Sequence, residues 1–231
     1  MGEDGRGAGS SFGTQDTDFE WSQGHRAAQA SSDVEIFRRV WRNEKAAPEI
    51  LPYDHLLLQR IREQILLMED TLSTFTGAAS DELTLSMYRM DIDRTMFLLR
   101  AYLRIRLLKI EQFAMHILRT EELWERLSQQ EQDYAQRYID ILQKHMEQTV
   151  LSKLPFGYQS MLRQATSSEE DDMIPEPTLD TFVFCKSKEP IGSLQLDDRG
   201  EEVVDMLTDD LYILRYRPVK RLLETDRIEL V

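Results

Sequence analysis

The sequence predicts a mainly α protein: an N-terminal helical bundle followed by a small β-rich C-terminal module. Three observations predict it. Between Pro52 and Pro155 there is no proline and a single glycine, Gly77, so little in that stretch obliges the backbone to leave the helix. At its centre, Met87 to Phe113 (MYRMDIDRTMFLLRAYLRIRLLKIEQF) reads as a helix apolar on two sides. After Leu154 the chain turns to proline, glycine and acid, and then to period-two alternation.

Taken in order, residues 1–30 hold Gly2, Gly5, Gly7, Gly9, Gly13 and Gly24 among many small polar residues. Such a composition cannot bury enough apolar area to offset the entropy of ordering, so this segment is expected to be a disordered tail. Within it, Asp16 to Trp21 (DTDFEW) sets Phe19 and Trp21 among acids and is a candidate docking peptide. Residues 31–156 are expected to form the helical domain. Ser31, Ser32 and Asp33 offer N-caps for a first helix carrying Ile36, Phe37, Val40 and Trp41, which Pro48 and Pro52 end. A second runs from about Asp54 to Phe75 and stops near Gly77, and Ser80 or Asp81 caps the third. A fourth spans about Glu121 to Leu154, with a break near Ser128 where the apolar spacing lapses.

The third helix carries the strongest pattern. At about 100° per residue, Leu85, Ile92, Met96, Leu99, Leu103 and Ile110 fall on one stripe, and Leu98, Ala101, Tyr102, Ile105 and Leu108 on a second. Asp93, Arg100, Arg104 and Glu111 line a ridge between them, expected to be partly desolvated once both sides are covered; Arg94 and Arg106 face elsewhere and are candidates to meet a partner's acids. A surface helix ordinarily buries one stripe, so this one calls for a multi-helix core or a partner.

Residues 157–176, with the acidic run Thr166 to Asp172 and Pro175, read as a linker, and residues 177–231 as the β-rich module. Its strands are expected at Thr181 to Lys186, Ser193 to Leu196, Glu202 to Leu207, Leu211 to Tyr216 and the terminal RIELV, with Gly192 and Gly200 at turns. So small a module buries only about 60% of its unfolded surface and should lean on another.

Composition excludes several functions. A net charge of −14 and a pI near 4.8 provide no field to attract nucleic acid, so strong DNA binding by the chain alone is not expected. One cysteine, Cys185, excludes internal disulfides and suits a cytosolic or nuclear setting. The opening residues have no apolar signal core, and no apolar run approaches the ~18 residues of a membrane span. His25, His55, His116 and His145 are scattered without metal-ligand spacing, and no phosphate loop, nucleophile elbow or dinucleotide fingerprint occurs. The expectation is a non-enzyme with no cofactor or metal.

Two segments carry a family resemblance. Trp41 to Leu51 (WRNEKAAPEIL) resembles the W-x-N-E-K-x-A-P-E-[LI]-L signature of the Sld-five subunit of the eukaryotic GINS complex. Arg94 to Phe113 resembles that family's R-x(4)-L-x-x-Y-L-R-x-R-L-x-K-I-E-x-F block, with Arg94, Leu99, Tyr102, Leu103, Arg104, Arg106, Leu107, Lys109, Ile110, Glu111 and Phe113 in register. Pro177 to Phe184 and Leu214 to Tyr216 are similar to its C-terminal pattern.

The resemblance implies a helical A domain and a β-rich B domain in a nuclear, non-catalytic heterotetramer subunit. Its implied partners are three other GINS subunits and the minichromosome-maintenance helicase ring with its cell-division-cycle partner protein, together forming the replicative CMG helicase. A replisome adaptor hub and the leading-strand polymerase are implied further out. The interface residues expected on this reading are Trp41, Arg94, Leu98, Arg100, Tyr102, Arg104, Ile105, Arg106, Leu108, Glu111, Phe182, Phe184 and Tyr216. The alternative from the residues alone is a cytosolic helical scaffold or tether that self-associates through the two-sided helix.

Overall fold

The computed structural model describes residues 32–75, 82–164, 173–196 and 203–231. The expected tail with Phe19 and Trp21, the caps Ser80 and Asp81, the acidic run of the linker and Gly200 lie outside the described residues.

Helix α1 (Asp33–Ala46) opens with Asp33 and Glu35 and closes with Lys45, charges that complement the helix dipole. After an extended turn, α2 (His55–Phe75) starts where Asp54 accepts a hydrogen bond from the Leu57 amide at 2.9 Å. The long α3 (Glu82–Arg119) is helical throughout except at Phe113, where φ is −115° and ψ 22°; neither proline nor glycine marks the spot. Short α4 (Glu121–Glu125) leads to α5 (Gln129–Thr149), whose N-cap Ser128 forms a capping box with Glu131. That is the break expected near Ser128.

Two apolar clusters hold the helices together. Phe37 of α1 and Leu57, Leu58, Ile61 and Ile65 of α2 close on Ile92, Leu98 and Tyr102 of α3, with the Phe37 and Tyr102 rings edge to face at 5.4 Å. Ile110, Phe113 and Ile117 meet Ile50, Leu123, Leu127 and Ala135 in the second.

The C-terminal module contains β1 (Phe182–Ser187), β2 (Gly192–Gln195), β3 (Val203–Met206), β4 (Leu211–Arg215), α6 (Tyr216–Glu224) and β5 (Ile228–Leu230). One antiparallel sheet runs in the order β4-β1-β5, with Phe184 opposite Ile213 and Lys186 opposite Glu229; β2 and β3 form a second pair. Alternation along β1 buries Val183, Cys185 and Ser187 and exposes Phe182 and Phe184. Helix α6 replaces the end of the strand expected to reach Tyr216. Pro218 in its first turn is compatible with a helix start, and Tyr216, Val219 and Leu223 form its buried face.

The module leans on its own chain. Ala47 belongs to the module's apolar cluster, β5 packs on α1, and the Leu230 amide donates to Asn43 Oδ1 at 2.8 Å. Asp33–Val231 is accordingly one compact unit.

Candidate functional site

The turn after α1, the buried face of α3, the α4–α5 junction and α6 converge on a network of charges. At its centre is Arg106, with a side-chain exposure of 0%. Its Nε donates to Glu131 Oε1 at 2.7 Å, Nη1 to Glu44 Oε2 at 3.1 Å and the Leu51 carbonyl at 2.6 Å, and Nη2 to Glu131 Oε2 and the Arg126 carbonyl at 3.1 Å each. All the N–H groups of a guanidinium are thereby satisfied. The Tyr53 and Tyr102 rings flank it at 5.3 and 5.6 Å. Burial works against the Arg106 cation, but the bond to Glu131 and the surrounding charges outweigh it and raise its pKa above the ordinary value.

One helical turn on, Lys109 donates to Glu44 Oε1 at 2.8 Å, to the Glu49 carbonyl at 2.8 Å and to the Glu44 carbonyl. Burial lowers its pKa, with Glu44 opposing the shift. Glu131 serves twice, since the carboxylate that closes the α5 capping box by accepting from the Ser128 amide at 2.9 Å is the one that holds Arg106.

The network continues into the C-terminal module through Glu49, which is 3% exposed. Its carboxylate accepts from the Tyr216 hydroxyl at 3.0 Å and from Lys220 at 3.0 Å, and lies 3.4 Å from Arg126 Nη1. Arg126 reaches Glu224 at 3.0 Å and also pairs with Glu122. Burial, then the charge and hydrogen bond of Glu49, push the Tyr216 phenol well up.

This arrangement is structural chemistry. Each charge is spent on another inside the fold, and the concavities of about 640 and 500 Å3 are lined by residues of α3, α5 and the segment after it, apart from the network. Among the described residues no cluster of His, Cys, Asp or Glu is arranged to hold a metal ion. Cys185 is buried, and burial raises its thiol to about 11, so it is not a ready nucleophile.

Among the described residues, exposed apolar side chains gather on α3 and on the sheet. On α3, Met87, Met90, Arg94, Phe97, Ala101, Arg104 and Leu108 recur at alternating spacings of three and four, the spacing of a helix-pairing seam. Met87, Met90, Phe97 and Leu108 are 60%, 50%, 63% and 64% exposed. On the sheet, Phe182 and Phe184 stand beside Leu211, Ile213 and Val231, all more than half exposed, with the Arg215 guanidinium 5.6 Å from the Phe182 ring.

The structure thus divides the expected interface residues. Leu98, Tyr102, Arg106 and Tyr216 are buried against their own chain, and their interface role is corrected to an internal one, because α1, α2 and α5 cover that face of α3 and the Glu49 cluster covers Tyr216. On the ridge, Asp93, Arg100 and Arg104 are exposed in the chain alone, and half-buried Glu111 accepts from Tyr134 of α5. Trp41 and Ile105 are half-buried, with Lys45 5.6 Å from the Trp41 ring, and Arg94, Leu108, Phe182 and Phe184 are exposed. Sequence reasoning passed over Glu44, Glu49, Lys109, Arg126, Glu131 and Lys220 as site residues. The signal available for Glu131 was the Ser128-x-x-Glu131 capping-box spacing.

Residues 69–150, which include α3 and α5, match the family model of the GINS complex protein helical bundle domain. The helical part thus carries a GINS-type bundle domain. Residues 177–231 match the C-terminus of DNA replication complex GINS protein SLD5. The chain is 51% identical over 212 residues to the GINS protein SLD5 of Arabidopsis thaliana, covering 91% of this chain and 96% of that protein. The SLD5 proteins of Dictyostelium discoideum (30%, covering 86% of this chain and 91% of that one) and mouse (29%, 86% and 88%) are similar over nearly the same span. The chain belongs to the SLD5 family of DNA replication complex GINS proteins.

Proposed function

We propose that this chain is a non-catalytic structural subunit of a nuclear GINS heterotetramer, and that through it the chain serves the replicative CMG helicase with the minichromosome-maintenance ring and its cell-division-cycle partner protein. The observation that carries the reading is the exposed seam on α3. Met87, Met90, Phe97 and Leu108 stand at least half exposed on one helix face, at the spacing of a helix-pairing seam. A partner helix laid along them would bury them, with its own acids meeting Arg94 and Arg104. The outer sheet face, with Phe182 and Phe184, is a second surface for a companion subunit. The acidic net charge agrees with a role exercised through protein partners rather than by direct DNA binding.

Affinity capture of the endogenous protein tests this. Three companion proteins of similar size are expected, with the helicase ring recovered in replicating cells. Recovery of the chain with copies of itself alone would support a self-associating scaffold instead. Submicromolar, salt-steep DNA binding by the isolated subunit would also count against the proposal.

A further inference from the structure

Glu49 stands where the helical part and the C-terminal module meet. On one side its carboxylate faces Arg126; on the other it accepts from Tyr216 and Lys220, both on α6. Arg126 reaches across the same junction to Glu224. The described part of the connection between the two, from Leu154 to Thr181, forms no helix or strand, and it touches α3 through Glu176, 3.5 Å from His116 Nδ1. Glu49 is not itself part of the module's apolar cluster, in which Val183, Cys185, Leu214, Val219 and Ile228 are joined by Ala47 of the helical part.

We propose that Glu49 is an ionic latch: its charge fixes the orientation of the C-terminal module on the helical part, and without that charge the module loosens from the helices as a folded unit. Resting on the SLD5 reading, the consequence is that the α3 seam and the outer sheet face are presented to other subunits as one rigid surface. Glu49→Gln isolates the charge, because glutamine keeps the shape and can still accept from Tyr216 while losing the ion pairs with Lys220 and Arg126. Arg126 would retain Glu122, Glu224 and the Ile50 carbonyl, so no buried cation is stranded.

Hydrogen exchange read by mass spectrometry on the full chain tests the latch. In E49Q, amides of residues 43–51 and the Leu230 amide, which bonds to Asn43 across the junction, should exchange at least about tenfold faster, with α3, α6 and the β1–β4 pair at wild-type rates. K220M, which weakens the latch from the module side, should give the same map at smaller amplitude. Wild-type exchange at the junction in both variants would overturn the proposal. So would acceleration spreading evenly into α3 and β1, since Glu49 would then belong to one cooperative core. The measurement involves no other subunit, so its failure is distinct from failure of the SLD5 reading.

Discussion

Arg106 and Glu131 pair side by side, Nε to Oε1 at 2.7 Å and Nη2 to Oε2 at 3.1 Å, with neither side chain more than 7% exposed. A bidentate pair in this setting adds little net stability over an apolar substitute, because taking both ions out of water costs about what their attraction returns. It does select one arrangement. Glu131 is fixed by the α5 cap, Glu44 by α1 and Arg106 by α3, so the pair holds only when three helices are in register.

Arg106→Ala would leave Glu44 and Glu131 buried without their shared cation. The expected loss is about 3–5 kcal/mol, typical of breaking one side of a buried pair. Arg106→Lys keeps the charge but not the fork that meets Glu131 and Glu44 together, and should fall between the wild type and alanine. Urea unfolding of the three chains checks the order. Equal stability of all three would mean that the network does not couple the helices.

Two buried tyrosines should behave in opposite ways when their hydroxyls are removed. The Tyr102 hydroxyl has no hydrogen-bond partner among the described residues, whereas that of Tyr216 donates to Glu49. Tyr102→Phe should be neutral or stabilising, and Tyr216→Phe should cost about 1.5–3 kcal/mol, the range for hydrogen bonds to a charged group. Burial is the main reason both phenols are raised from 10.0. A raised folded value leaves stability intact below the unfolded pKa and reduces it above, because the unfolded chain loses the phenolic proton first. Wild-type Tm should therefore fall from about pH 10 upward, and Tyr102→Phe should fall less steeply. Melting at pH 8, 10 and 11 reads both effects.

On the α3 seam, Phe97→Asp should abolish co-purification with companion subunits while changing the chain's own stability by no more than about 0.5 kcal/mol, as for other surface positions. Arg104→Glu should likewise spare the fold, because Arg104 is exposed, and should weaken assembly by reversing the charge it offers to a partner's acids. Lys45→Ala, away from the seam, should assemble as wild type. Full tetramer recovery with Phe97→Asp would remove the seam from the interface.

The order of elements was legible because periodicity, caps and proline placement are local. Helix α1 ends just before Pro48, α2 begins at the cap Asp54, and β1 follows the alternation of its residues. The charge network was not legible. Arg106 and Glu44 are 62 residues apart in sequence, and nothing in either neighbourhood marks them as partners. Angular position on α3 identified an amphipathic helix, but which charges it buries depends on where α1 and α5 lie. Thus Arg104 is outside and Arg106 inside, though both sit in the same block of the sequence. Helix α6 was missed because Leu211 to Tyr216 continues a strand pattern and Pro218 resembles a terminator, while the buried face at Tyr216, Val219 and Leu223 is only two turns long.

Ending the chain at Pro175 tests how far the helical part stands alone. The sequence suggests that the module can be removed without harm to the helices. The junction argues for a local cost: Ala47 would lose its apolar surroundings, Asn43 its bond from the Leu230 amide, and Glu49 both Tyr216 and Lys220. Helices α2, α3 and α5 keep their own clusters, so the truncated chain should retain most of its helical circular dichroism. It should melt several degrees lower, with the early loss in residues 43–54, and a hydrogen-exchange map would locate that loss there. Co-expressed with companion subunits, it should keep helical pairing through the α3 seam but fail to yield the complete tetramer, because the outer sheet face is gone. A full-length tetramer profile on size-exclusion chromatography would show that the helices alone carry assembly.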